Sequence, residues 1–91
     1  MFIITIHGRE SEGAYSVLNE DGEHILYLFE EEDDAVRYAM MLEEDGYPDM
    51  HLIEIEDELM LKTCEMHDYE YVIITPNDIV IPPKNTENDF I

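Results

Sequence analysis

An acidic run followed by an apolar stripe is the feature that most constrains the fold of this chain. After the run, apolar residues recur at i, i+3, i+4 and i+7, in Ala35, Tyr38, Ala39 and Leu42. This spacing predicts a helix from about Glu32 to Glu44 with one apolar face, which must be buried against a second layer of structure.

The sequence also indicates where this helix begins and ends. Acidic residues in a first turn favour the positive end of the helix dipole, which suits the start near Glu32. Gly46 is a typical helix C-terminal residue, and Pro48 prevents the helix from continuing. Tyr47, between them, is expected to fold back over the helix end.

Short β-branched and aromatic segments surround this helix and predict strands. The predicted strands cover residues 2–7, 14–18, 24–29, 51–56 and 69–75, with a possible short edge strand at residues 79–81. Asp21-Gly22 tolerates the positive φ of a tight hairpin turn, so the second and third strands should form a hairpin. A shorter second helix is predicted from about Glu58 to His67.

The resulting order β-β-β-α-β-α-β predicts an α+β fold. We expect a two-layer sandwich, close to ferredoxin-like, with a mostly antiparallel sheet and both helices on one face. A single domain over residues 1–83 and a loose polar tail over residues 84–91 are predicted.

The charge balance limits the partners of this domain. The chain has 91 residues, of which 24 are Asp or Glu and 4 are Lys or Arg, giving a net charge of −20, yet 45% of the residues are hydrophobic. A disordered chain pairs high charge with low hydrophobicity, so this composition favours a folded domain. Four cations cannot neutralise a nucleic-acid backbone or attract an anionic membrane, which argues against direct binding of either.

The expected cellular location follows from the absence of targeting segments and from the low cysteine content. No segment is typical of a signal peptide, and no apolar run approaches the roughly 20 residues that span a bilayer. A single cysteine excludes a disulfide framework and a Cys-based zinc site. A cytoplasmic protein is the expectation.

Several motifs resemble those of the family known as domain of unknown function 3110. The densest runs from Phe29 to Ala39 and continues through Leu42-Glu43 to Gly46-Tyr47-Pro48. Further similar positions are Glu12-Gly13-Ala14-Tyr15-Ser16, Cys64 and Pro82-Pro83. The resemblance covers nearly the whole chain. It implies a small stand-alone domain from cyanobacteria, chloroplasts or cyanobacterial phages, and it supplies no catalytic residues.

The acidic run and two methionines are the candidate partner-binding residues. The set comprises Glu30, Glu31, Glu32, Asp33, Asp34, Met40 and Met41. A strongly acidic surface steers basic partners, and exposed methionine suits an adaptable contact. One of the two adjacent methionines must point away from the apolar stripe. Helix capping and core filling are the simpler roles for the same residues.

Cys64 and His67 are weak candidates for a metal site. Their i, i+3 spacing places them on one helix face, but zinc needs two more ligands and a Cys nucleophile needs an oxyanion hole. A buried hydrophobic role for Cys64 is favoured. No phosphate loop or nucleophile motif is present, so we expect no enzyme activity, no catalytic residues and no cofactor.

These observations favour a small acidic regulatory or adaptor protein that binds a basic protein partner. The first alternative is a nucleic-acid mimic, whose carboxylates occupy the site of a DNA- or RNA-binding protein. The second is a metal- or small-ligand-binding domain, or an enzyme, that uses Cys64 and His67. A monomer or weak homodimer is expected, because self-repulsion opposes association at low salt.

Overall fold

The predicted order of elements is confirmed in a computed structural model, which describes residues 1–82. The elements are β1 (Phe2–Ile6), a 3-10 turn (Glu10–Glu12), β2 (Ser16–Leu18), β3 (His24–Phe29), α1 (Glu32–Glu44), β4 (Met50–Glu54), α2 (Asp57–Met66) and β5 (Glu70–Ile74). The prediction for residues 79–81 is wrong, since they form no strand. The predicted tail, residues 84–91, lies outside the described residues.

The five strands form one sheet around β3. β5 pairs in parallel with β3 from Ile25 to Phe29 and so occupies one edge of it. The other edge is shared, because β2 pairs antiparallel with β3 over residues 24–26 and β1 pairs antiparallel at Phe29 alone. Beyond that point β1 contacts the start of β2, where the Tyr15 amide donates to the Ile4 carbonyl at 2.7 Å.

β4 completes the sheet on the far edge of β1. The two strands pair antiparallel from Phe2 opposite Glu54 to Ile6 opposite Met50. Three of the four strand pairs within residues 1–82 are therefore antiparallel, as predicted, and the pair of β3 with β5 is parallel. Because β1 is antiparallel to both β3 and β4, these two strands run in the same direction, and β5 runs with them.

The placement of both helices on one face was wrong. The α1 residues pack with Phe2, Ile4 and Phe29, whereas the α2 residues Met60 and Cys64 pack with Ile3, Leu26 and Leu28. Successive residues of a strand face opposite sides of the sheet, so α1 and α2 cover opposite faces. The α+β class, five strands and two helices are confirmed, but the layers number three.

Handedness explains this arrangement. α1 connects β3 to the parallel strand β4, and α2 leads back across the sheet from β4 to β5. Crossover connections between parallel strands are almost always right-handed. The two crossovers run across the sheet in opposite directions. Both are therefore right-handed only if α1 and α2 lie on opposite faces of the sheet.

The predicted apolar stripe of α1 is buried. Tyr38 and Leu42 are 0% exposed, and Ala35 and Ala39 complete the stripe. Tyr38 lies among other aromatic rings, with centroids 5.4 Å from both Tyr15 and Phe29. This cluster, which we call the α1 core, is the larger of the two cores and fixes the position of α1 on the sheet. The smaller cluster, which contains Met60 and Cys64, is the α2 core.

The end of α1 forms a Schellman motif. The Tyr47 amide donates to the Leu42 carbonyl at 3.1 Å, and the Gly46 amide donates to the Glu43 carbonyl at 3.2 Å. Gly46 has a φ of +98°, which favours glycine. Tyr47 packs against the α1 core, as predicted. Among residues 1–82, no helix is long and apolar enough to cross a membrane.

Candidate functional site

The acidic segment (residues 30–34) lies where β3 ends and α1 begins. The Glu30 amide donates to the Ile74 carbonyl at 2.9 Å, which ties this segment to the end of β5. Glu31 is the N-cap residue of α1, and Glu32, Asp33 and Asp34 form its first turn. All but Asp34 are exposed, so they present negative charge to solvent at the positive end of the helix dipole.

Asp34 differs from its neighbours because its side chain is only 12% exposed. Its Oδ1 accepts a hydrogen bond from Nη1 of Arg37 at 3.0 Å, one helical turn later. Its Oδ2 is buried, and no group in the described residues donates a hydrogen bond to it. A buried carboxylate oxygen without a donor is costly, so this position favours a ligand that supplies one.

Asp34 lines a groove between α1 and the chain that follows β5. We call this the α1 groove; its volume is about 250 Å³. Its lining residues are Asp34, Arg37, Tyr38, Met41, Ile74, Pro76, Asp78, Ile79, Val80 and Ile81. Most of the lining is apolar, and Ile79 and Ile81 are 93% and 75% exposed. The groove therefore combines a carboxylate with unburied hydrophobic surface.

Met40 and Met41 of α1 face different environments, as the sequence indicated. Met41 packs against the α1 core and lines the α1 groove. Met40 is 57% exposed and is not among the groove residues. Met41 thus belongs to the candidate site with Asp34, whereas Met40 lies outside the groove.

Cys64 and His67 do not meet the requirements of a metal or nucleophile site. Cys64 is 1% exposed and packs in the α2 core. Burial raises the pKa of its thiol, which opposes the thiolate form that binds metals and attacks substrates. His67 is exposed and stacks on Tyr69, with ring centroids 5.3 Å apart. The prediction that Cys64 is a buried hydrophobic residue agrees with its position in the structure.

A cluster of chemically capable residues that sequence reasoning missed lies near the end of β1. One ligand atom from each of His7, Glu10 and His51 can be chosen so that all three lie within 4.8 Å of one another. The hydrogen bond from the Gly8 amide is the main cause of a lowered pKa for Glu10, and the nearby imidazoles lower it further. The sequence carries no local signal for this cluster, because the antiparallel pairing of β1 with β4 is what brings the two histidines together.

The family comparison matches almost the whole chain. The family model described as "Domain of unknown function (DUF3110)" covers residues 2–84. The chain belongs to this family. No curated protein and no solved structure matches it.

The match to domain of unknown function 3110 includes every candidate residue described above. The acidic segment, the α1 groove and the histidine cluster all fall between residues 2 and 84. They are therefore parts of the family domain itself and not of an appended segment. The family description names no activity, so the residues of these sites are the evidence for function.

Proposed function

We propose that this protein is a small, non-enzymatic regulatory or adaptor protein that binds a basic protein partner. The binding surface comprises the acidic segment and the α1 groove. The family resemblance supports a cyanobacterial or cyanophage setting, and the single cysteine fits a cytoplasmic location. The protein acts as a monomer or weak homodimer.

The single observation that carries this proposal is the unsatisfied carboxylate of Asp34. Asp34 lines the α1 groove, and its Oδ2 is buried without a donor in the described residues, although Arg37 already bonds Oδ1. A lysine or arginine of a partner would supply the donor in a charge-assisted hydrogen bond. Such a bond is stronger when water is excluded, as at the centre of an interface.

The charge of the surrounding surface supports a basic partner. Four exposed carboxylates, from Glu30 to Asp33, precede Asp34, and the whole chain has a net charge of −20. Complementary charge accelerates association and excludes acidic competitors. It contributes less to the final affinity, which depends on well-packed central contacts.

The apolar part of the surface supplies those central contacts. Ile79 and Ile81 border the α1 groove and are largely exposed, whereas Met41 and Val80 are partly buried in it. Burying an isoleucine side chain contributes about 1.5–3 kcal/mol. The expected partner segment therefore has a basic residue beside one or more apolar residues.

The test is affinity capture with two matched variants. The first replaces the exposed acids of the segment, as Glu30→Gln, Glu31→Gln, Glu32→Gln and Asp33→Asn. The second removes the same charge elsewhere, as Glu20→Gln, Asp21→Asn, Glu23→Gln and Glu65→Gln, all exposed positions. Each protein is immobilised, a cyanobacterial lysate is applied at low salt, and bound proteins are eluted with a salt gradient.

We expect one defined protein to elute from the wild type and from the second variant but not from the first. Asp34→Asn should reduce the affinity for the purified partner at least as much as any single substitution of an exposed acid does. Equal retention by both variants would mean that total charge, and not this surface, causes binding. Elution of a set of nucleic-acid-binding proteins would support the nucleic-acid mimic instead.

A further inference from the structure

Strand pairing brings two histidines together near the end of β1. His51 of β4 lies opposite Thr5 of β1. The ladder continues beyond β1, since the His7 amide donates to the Asp49 carbonyl at 2.9 Å. His7 follows Thr5 by two residues, so it lies on the same side of the sheet as His51. The two imidazole rings are in contact, with centroids 5.9 Å apart.

A tight turn brings a carboxylate to the same place. Gly8 has a φ of +83°, and the Arg9 amide donates to the Ile6 carbonyl at 2.9 Å. The chain thereby reverses directly after β1 and enters the short 3-10 turn that Glu10 begins. The Gly8 amide donates to Oε2 of Glu10 at 2.9 Å, which holds the carboxylate near the rings.

The distances suit coordination of a single metal ion. One ligand atom from each residue lies within 4.8 Å of the other two, and all three residues are exposed. Tetrahedral zinc, with bonds of about 2.0–2.2 Å, requires ligand atoms about 3.4 Å apart. Exposed side chains close such a gap by small rotations about their χ angles, without movement of the strands.

We propose that His7, Glu10 and His51 bind a divalent transition-metal ion such as Zn²⁺. Two imidazoles and one carboxylate favour transition metals, whereas Mg²⁺ and Ca²⁺ take oxygen ligands. Three protein ligands leave a fourth position for water or for a group from another molecule. The ion connects the turn after β1 to β4, so binding stabilises the folded chain.

This site is separate from the proposed partner surface. Phe2, at the other end of β1, pairs with Phe29 beside the acidic segment. His7 follows Phe2 by five residue steps of extended chain, a distance of about 17 Å. The metal site therefore goes beyond the proposed function, and either one can fail without the other.

The experiment is a calorimetric titration of the full chain with Zn²⁺. The protein is prepared without a polyhistidine tag, and excess Mg²⁺ at physiological ionic strength occupies the many surface carboxylates. Wild type is compared with His7→Ala, Glu10→Gln and His51→Ala. His67→Ala is the matched control, because His67 is also exposed but lies after α2, outside the cluster. Circular dichroism verifies that each variant is folded.

We expect one equivalent of Zn²⁺ to bind to the wild type and to His67→Ala with equal affinity. Each of the other variants should bind at least about tenfold more weakly, since loss of even an outer-shell group has that effect. Zn²⁺ should raise the Tm of the wild type more than that of the folded Glu10→Gln variant at the same Zn²⁺ concentration. Absence of saturable binding under Mg²⁺, or unchanged affinity in the three variants, would overturn the proposal.

Discussion

The phenolic oxygens of Tyr15 and Tyr38 lie 3.0 Å apart and share a hydrogen bond inside the α1 core. Tyr15 is 1% exposed and Tyr38 is 0% exposed. The bond connects α1 to the chain entering β2, two parts of the sequence that are 23 residues apart. It joins the start of the hairpin to the helix whose first turn carries part of the acidic segment.

Tyr15→Phe should destabilise the protein by about 1–3 kcal/mol, because it removes the bonding partner of a buried hydroxyl. The double variant Tyr15→Phe/Tyr38→Phe should cost less than the sum of the two single changes by at least about 0.5 kcal/mol. Urea unfolding of the four proteins measures this coupling. Additive single and double effects would mean that the hydroxyls do not interact in solution.

Stability should decrease in alkaline solution. Burial, together with the hydrogen bond to Tyr15, raises the pKa of Tyr38 well above its ordinary value. Above about pH 10 the unfolded chain loses a proton that the folded chain keeps, so the free energy of unfolding falls by up to about 1.4 kcal/mol per pH unit. Below that pH the contribution is constant. Urea midpoints across this range should fall less steeply for Tyr38→Phe than for wild type.

Cys64 should react slowly with thiol reagents in the native protein. Its thiol is buried, and burial raises its pKa, so little thiolate is accessible. Labelling with an aromatic disulfide should be fast in urea and, in native buffer, limited by opening of the α2 core. Equal rates in both solvents would contradict the burial of Cys64 beneath α2.

Gly46→Ala should destabilise the protein through the backbone alone. A Cβ at this position would meet no atom within 4 Å, but φ is +98°. The expected cost is about 1–2 kcal/mol, the penalty for a left-handed alanine. Gly46→Asn should cost less, because asparagine tolerates this region better. A neutral Gly46→Ala change would indicate that α1 ends differently in solution.

Glu44→Lys should stabilise the protein by about 0.3–1 kcal/mol at low salt. Glu44 is the last residue of α1, and the last turn of that helix contains no basic residue. The gain should shrink as salt screens the interaction, whereas the wild type should become more stable with salt because its net charge of −20 is screened. Thermal unfolding at several salt concentrations measures both effects, and a gain independent of salt would exclude an electrostatic cause.

Elements specified by local patterns could be predicted from the sequence. The apolar stripe and the residues that flank it predicted α1 from Glu32 to Glu44, as found. The prediction of β3 from His24 to Phe29 is also confirmed. The prediction failed where it depended on geometry between distant segments. Helix faces follow the direction of each crossover, and that direction depends on which strands pair.

The candidate sites show the same division. The acidic segment was visible in the sequence because its residues are consecutive. The unsatisfied oxygen of Asp34 was not, since its burial depends on how other parts of the chain pack around α1. Likewise, nothing local relates His7 to His51, which are 44 positions apart in the sequence. Only the β1–β4 register brings these two residues together.

The sequence by itself determined the charge, the approximate bounds of the main elements and the apolar stripe of α1, because these depend on neighbours within a few residues. The tertiary structure decided which strands pair, which face each helix covers and which polar groups lack partners. Those outcomes depend on contacts between distant segments, where burial and the handedness of connections select one arrangement among several that the local patterns allow.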